Sequence, residues 1–248
     1  MSVKSKTSSG VDFISTQVLK MAVDVITVPL TWIINNSLES GIFPTCWKIS
    51  KCIPLIKNKG KRSDKTKYRP VSLLKAVSKV IEKIVNKQVL NYMEINQLFP
   101  RSQHGFRAKR STFTAVSSKH EQWIKNKERK FHQVVAFLDL SAAFDTLSKD
   151  IVCQKLKAYG FNKTSVEWFQ SYLSERKQQV MIGSTLSEPT TLKVGSPQGS
   201  ILSPTIFIIL LSDIELWCPG ATLCGYADDT SITIIDKDVN KLKTTHRP

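Results

Sequence analysis

Residues 221–235 read ATLCGYADDTSITII, two short runs of β-formers flanking the tetrapeptide Tyr226-Ala227-Asp228-Asp229. Alternating residues that run into a tight acidic tip and out again predict a β-hairpin presenting two adjacent carboxylates. Adjacent carboxylates repel each other. Aiming both at one point makes sense where a cation sits, and hard oxygen ligands suit Mg2+ or Mn2+. The plain alternative is an ordinary turn, where Asp is common because of its local hydrogen bonding.

A third acid lies far upstream. Residues 131–140, FHQVVAFLDL, form a short apolar strand signal with Asp139 near its end, and a helical stretch follows from about Ser148 to Tyr159. A largely apolar strand predicts burial on both faces in the middle of a sheet. An acid at its carboxyl end stands where α/β-type sheets keep their chemistry. With this strand beside the hairpin, Asp139 converges on Asp228 and Asp229. Three carboxylates can then hold two divalent ions about 3.5–4 Å apart, a phosphoryl-transfer geometry. Alone, Asp139 reads as a strand-end or capping Asp.

Between these acids stands Gly195-Ser196-Pro197-Gln198-Gly199-Ser200-Ile201-Leu202-Ser203-Pro204. Two glycines and a proline make a loop for close approach, in which backbone and the Gln198 side chain lie against a flat ligand. Ser200 or Ser203 caps the apolar run Thr205 to Leu211 as a buried helix. An ordinary turn before a core helix fits the spacing equally well.

In order, FLDLSAAFDTL, GSPQGSILSPTIF and YADD resemble the three palm motifs of a reverse transcriptase. YRPVSLLKAVSKVIEKIV (Tyr68 to Val85) and QHGFRAKRST (Gln103 to Thr112) are similar to its two fingers motifs. SSGVDFISTQVLK (Ser8 to Lys20) resembles the segment that precedes them in jockey-like, LINE-type non-LTR retrotransposons. The resemblance runs from about Ser8 to Ile235, with five motifs in order. It implies an α+β right-hand polymerase fold of fingers and palm, with an antiparallel palm sheet packed on helices. The corresponding segments are a helical lead-in over 1–40, basic fingers over 41–130, a palm over 131–240 and an unassigned tail over 241–248.

The resemblance also implies roles. Asp139, Asp228 and Asp229 take the catalytic and metal positions, with the Leu140 carbonyl completing the shell of one of two Mg2+ ions; Mn2+ would also serve. Arg69, Phe144, Gln198, Gly199 and Tyr226 fall at nucleotide-binding positions. Phe144 matches the bulky residue that excludes a ribose 2′-hydroxyl, which argues for DNA synthesis over RNA synthesis; a core Phe is its ordinary reading. Lys57, Lys59, Lys61, Arg62, Lys65 and Arg107 fall to phosphate or nucleic-acid contact. The implied partners are an RNA template, a DNA primer and dNTPs, with no evident protein partner.

Charge supports this independently. Up to Lys130 the chain has 25 Lys and Arg against 8 Asp and Glu; beyond it the numbers are 11 and 12, which accounts for the overall +16. Lys48 to Arg69 is densest, with nine basic residues opposed only by Asp64. A clustered basic face is the footprint of a polyanion partner. Membrane binding is disfavoured, because the basic run carries no matching amphipathic helix. The 41 % hydrophobic content allows a sizeable core.

No apolar stretch follows the basic residues near Met1, so the expectation is an intracellular protein, cytoplasmic or nuclear and not secreted. The five cysteines at 46, 52, 153, 218 and 224 make neither an even disulfide framework nor a zinc spacing, and read as free thiols. The four histidines show no ligand spacing and read as surface or loop residues.

Two departures from the family pattern stand out. Ser196 replaces a small apolar residue, and the sequence ends 19 residues after Asp229, short of a primer-grip hairpin and thumb. The expectation is therefore a truncated copy with the thumb missing, impaired in activity. The alternative is an inactive remnant that binds nucleic acid through its basic half.

Overall fold

The computed structural model describes residues 3–56, 63–64, 67–139 and 146–244. The chain forms two compact units that interleave along the sequence, one built from residues 1–89 and 144–207 and the other from 90–143 and 208–248.

The first unit opens with α1 (Thr16–Met21) and α2 (Val23–Ser40). Ser15 caps α1 through the Val18 amide, and Gly41, at φ +68°, closes α2 in the left-handed conformation. The lead-in is thus helical as expected, broken at Ala22, and α2 runs on through Pro29. Its inner side carries Ile34 and Ser37 against α6 (Lys163–Leu173), whose Trp168 Nε1 donates to Ser37 Oγ at 3.0 Å. Trp168 stacks on Tyr172 with centroids 5.5 Å apart, and Phe43 meets Tyr172 edge-on at 5.0 Å. Large rings in such offset and edge-on arrangements fix the relative rotation of the elements that carry them. The helix α5 (Lys149–Ala158) packs on α6 and buries Val152 and Leu156.

Two strands in this unit lie in what read as the basic fingers. β1 (Ile49–Ile56) pairs antiparallel with β2 (Tyr68–Leu74) and parallel with β4 (Lys177–Ile182). The short β5 (Thr185–Leu186) and β6 (Thr190–Thr191) extend the sheet from β4. The helix α3 (Ala76–Ile95) follows β2 directly, close to the Leu73–Met93 span expected from sequence.

The second unit is a three-stranded antiparallel sheet in the order β3-β8-β7, made from β3 (His132–Asp139), β7 (Thr222–Tyr226) and β8 (Asp229–Asp236). The helix α4 (Thr112–Glu128) opens with a reciprocal Ser111–Thr114 capping box and packs on β7 and β3; α8 (Val239–Thr244) lies against β8 and β3.

One expectation is corrected. The apolar strand ending at Asp139 is an edge of its sheet, not its middle, and Val134, Phe137 and Leu138 are 44 %, 76 % and 37 % exposed. An apolar run records which side chains tolerate burial; strand order is set by which partner supplies the hydrogen bonds. Here the central place goes to β8, paired on both sides. Among the described residues no helix is long and apolar enough to cross a membrane.

Candidate active site

The hairpin forms where the sequence placed it. β7 and β8 pair in register from Thr222↔Thr233 to Tyr226↔Asp229, leaving Ala227 and Asp228 as a two-residue turn. Ala227 has φ +59° while Asp228 does not enter the left-handed region. A positive φ at the first turn position alone marks a type II′ turn, which matches the twist of the strands but usually has Gly there. An alanine in that place holds some backbone strain.

The register of β3 on β8 places Asp139 directly opposite Asp229. Directly opposite residues of an antiparallel pair stand about 4.5–5.5 Å apart at Cβ. Two acids far apart in sequence thus become neighbours by strand pairing alone, with Asp228 next in chain. The Asp228 and Asp229 side chains are exposed and make no hydrogen bond or ion pair among the described residues. Carboxylate oxygens left open to solvent at adjacent positions fit a hard divalent cation.

The hairpin is gripped from outside. Gln103 Oε1 accepts from the Ala227 amide (3.1 Å) and the Gly105 amide (2.7 Å), and Gln103 Nε2 donates to the Ala227 carbonyl (3.3 Å). The His104 amide donates to the Gly225 carbonyl at 2.7 Å, and the Gly225 amide donates to the Ser102 carbonyl at 2.9 Å. Close approach requires glycine here, since a Cβ on Gly105 would lie 2.2 Å from the Ala227 nitrogen. His104, expected at the surface, is buried, with Nδ1 2.9 Å from Thr114 Oγ1, and burial lowers its pKa.

Beside the hairpin a cleft of about 400 Å³ is lined by Phe137, Leu138, Lys119, Tyr226 and Asp229. Lys119 lies over the Phe137 ring at 4.9 Å and donates to Ser231 Oγ. Arg107 is engaged within its own segment of the chain. Its guanidinium pairs with both oxygens of Glu94 (2.8 and 2.7 Å), donates to the Pro100 carbonyl (2.8 Å) and covers the Phe99 ring. The pairing holds the Glu94 carboxyl below its usual pKa. Arg107 thereby braces the 100–107 loop.

In the first unit the glycine loop docks on β2. The Ser72 amide donates to the Gln198 carbonyl at 2.7 Å, and Gly199, at φ +118°, leaves 2.6 Å between a Cβ and the Ser72 carbonyl oxygen. No side chain fits there. Pro70, Ser72, Gln178, Lys193 and Gln198 line a cleft of about 350 Å³. Arg69 is exposed on β2, paired in register with Leu55. Ser200 Oγ accepts from the Leu202 and Ser203 amides, the capping expected at the start of α7 (Ser203–Leu210).

Behind the loop sits a buried acid that the sequence did not single out. Glu82 of α3 accepts from the Ile201 amide (2.8 Å), Ser200 Oγ (3.0 Å), Ser78 Oγ (3.0 Å) and Tyr172 OH (3.3 Å). Burial pushes its pKa up, against the opposing pull of Arg176 and these donors. The available signal was Ser78 and Glu82 at i, i+4 on the same helix side as buried Ile81 and Val85. Gln103 offers no such signal, since an amide in a Gly-containing loop has no signature of its own.

Leu140, Phe144, Lys57, Lys59, Lys61, Arg62 and Lys65 lie outside the described residues, as does the Asp139 side chain.

The reverse transcriptase (RNA-dependent DNA polymerase) family matches residues 56–246. The RNA-directed DNA polymerase from mobile element jockey of Drosophila melanogaster is 28 % identical over 241 residues, which cover 94 % of this chain and 26 % of that protein. The probable RNA-directed DNA polymerase from transposon X-element of the same fly is 29 % identical over 234 residues, 90 % of this chain and 25 % of the relative. The chain thus spans about a quarter of the length of these relatives. Among solved structures, apo telomerase from Candida tropicalis, truncated from its C-terminal domain, superposes with a TM-score of 0.55 at 15 % identity, over 88 % of this chain and 50 % of that one. That likeness bears on fold alone, and it agrees with fingers and palm. With motif order, hairpin register and family match in accord, the chain belongs to the reverse transcriptase (RNA-dependent DNA polymerase) family.

Proposed function

We propose that this chain carries the nucleotidyl-transfer centre of an RNA-directed DNA polymerase from a jockey-like non-LTR retrotransposon, using an RNA template, a DNA primer and dNTPs. The observation that carries the reading is the pairing of Asp139 opposite Asp229, one residue from the exposed Asp228 at the turn.

Reverse transcriptases generally use divalent metal ions. Asp139, Asp228 and Asp229, with the Leu140 carbonyl, would hold two Mg2+, which supply Lewis-acid activation of a primer 3′-hydroxyl and charge neutralisation on a triphosphate. The protein's part is placement. The two-residue turn presents Asp228 and Asp229 with no side-chain partner among the described residues to compete for their oxygens. Arg69 offers a planar guanidinium for bidentate phosphate contact. Gln198 and Gly199, anchored on Ser72, present backbone and amide to the nucleotide, and Phe144 excludes a ribose 2′-hydroxyl. Tyr226 packs near the primer end. Lys57, Lys59, Lys61, Arg62 and Lys65 contact phosphates. Arg107 holds its own loop in place.

The test is Mg2+-dependent dNTP incorporation on an RNA template with a DNA primer, comparing the wild-type chain with Asp228→Asn. The amide is nearly isosteric and uncharged. Incorporation should fall on the order of 10³-fold, the scale of removing one ligand from a Lewis-acid site, with an unchanged melting temperature. Wild-type rates in the variant would remove Asp228 from catalysis. Absence of incorporation by both proteins, with RNA binding retained, would favour the nucleic-acid-binding alternative that the basic half suggests.

A further inference from the structure

The fingers-type segment QHGFR reaches the acidic hairpin at Gly225 and at Ala227, and what it does at Ala227 is not ordinary packing. Ala227 occupies a turn position that an L-residue adopts at a cost, with φ +59°. Both its backbone polar groups point away from the β7–β8 ladder, and Ala227 is only 8 % exposed. A buried N–H or C=O without a partner is expensive, so each needs one. A single side chain supplies both: the amide of Gln103, itself 5 % exposed, takes the Ala227 N–H on its oxygen and gives an N–H to the Ala227 carbonyl.

The bracket that carries Gln103 is itself tied down. Its Oε1 also accepts from the Gly105 amide, His104 is joined to Thr114 in the α4 capping box, and Arg107 is paired with Glu94. On the hairpin side, Gly225 makes backbone hydrogen bonds with both Ser102 and His104. Glycine at 225 leaves room for the amide, as a Cβ there would come within 3.2 Å of Gln103 Nε2.

We propose that Gln103 is a positioning residue for Asp228. It acts through Ala227, clamping both peptide groups of that residue so that the strained turn keeps one conformation and aims the next side chain at its metal-binding place. The inference rests on the polymerase reading above, since it assigns Gln103 its purpose through Asp228. Gln103 acts without touching nucleotide or metal. Its removal should therefore disturb the rate more than substrate binding, because a misplacement of about 1 Å can cost about 10²-fold.

The informative variant is Gln103→Met, of similar length and able to fill the space but unable to make either bond. Hydrogen exchange read by NMR should show protection lost at the Ala227 amide, with the β3–β8 ladder still protected. Mn2+ affinity, read by EPR from the free ion, should weaken about tenfold. In primer extension kcat should fall at least tenfold, with the dNTP KM within twofold of wild type. Adding Ala227→Gly removes the strain and should recover part of kcat in the Gln103→Met background while changing the wild type little.

Unchanged exchange at Ala227, or unchanged Mn2+ affinity and kcat, would overturn the clamp, and so would independent effects of the two substitutions. Failure of the underlying reading looks different. There, Asp228→Asn would incorporate at the wild-type rate and bind Mn2+ like the wild type, whatever Gln103→Met does to exchange at Ala227.

Discussion

At the scale of single residues, the candidate site is held by groups whose bonding capacity is nearly filled by neighbours. Glu82 is the clearest case, an acid with four donors converging on it from the glycine loop, α3 and α6. Glu82→Ala should cost about 3 kcal/mol in denaturant unfolding, since it strands the Ile201 amide and three hydroxyls. A fall below half that value would mean that solvent replaces the carboxylate easily. The pH dependence follows from the direction of the shift. A carboxyl whose folded pKa is raised stabilises fully below its ordinary value, and that contribution is lost as pH rises through the raised value. The stability advantage of wild type over Glu82→Gln should therefore shrink as pH increases from about 4.5. An advantage growing with pH over that range would reverse the assignment and place the folded pKa low.

Elements impose what residues alone cannot. The glycine loop meets β2 through backbone, with the Ser72 amide on the Gln198 carbonyl and the Ser72 carbonyl against the bare Cα of Gly199. Gly199→Ala adds a Cβ 2.6 Å from that oxygen at a φ of +118°, so both strain and crowding push the loop off the strand. A stability loss of about 1–3 kcal/mol is expected, together with a higher KM for dNTP as Gln198 moves. A variant with wild-type melting and KM would show that the loop relaxes without consequence. The hairpin is the contrasting element. Its register is set by a two-residue turn, and a slip of one residue would send every side chain to the opposite face.

For the molecule as a whole, charge is the long-range property. The basic excess lies before Lys130 and is densest from Lys48 to Arg69. Changing Lys57, Lys59, Lys61 and Arg62 to Ala should weaken RNA and DNA binding without sequence preference. It should also flatten the slope of log K against log salt by roughly 0.7–0.9 for each phosphate no longer neutralised. A salt titration with unchanged slope would show these charges to be solvated and uninvolved. Exposed apolar side chains are the other whole-molecule feature. Met21, Val25, Val28 and Trp32 project along α1 and α2 with most of their surface in solvent, and the opposite side of α2 is anchored to α6.

The sequence by itself determined what local chemistry controls. Alternation around an acidic tip specified the hairpin, Ser200 marked the start of α7, and the order of acidic, glycine-loop and hairpin motifs carried the family. Helix spans came within a few residues for α3 and α5. Only the tertiary structure decided which strand lies where and what stands behind each loop. The apolar composition of β3 suggested a central strand, yet β8 took that place because two partners bond to it. The strands β1 and β2 are not legible in the sequence because their basic residues and Pro54 and Pro70 mask the alternation. Arg107 carries the same charge whatever it meets, and only the fold shows its pairing with Glu94. Gln103 and Glu82 belong to the same class. Their meaning lies in partners more than a hundred residues away, Ala227 and Ile201, and pairing at that range leaves no periodicity for a sequence to display.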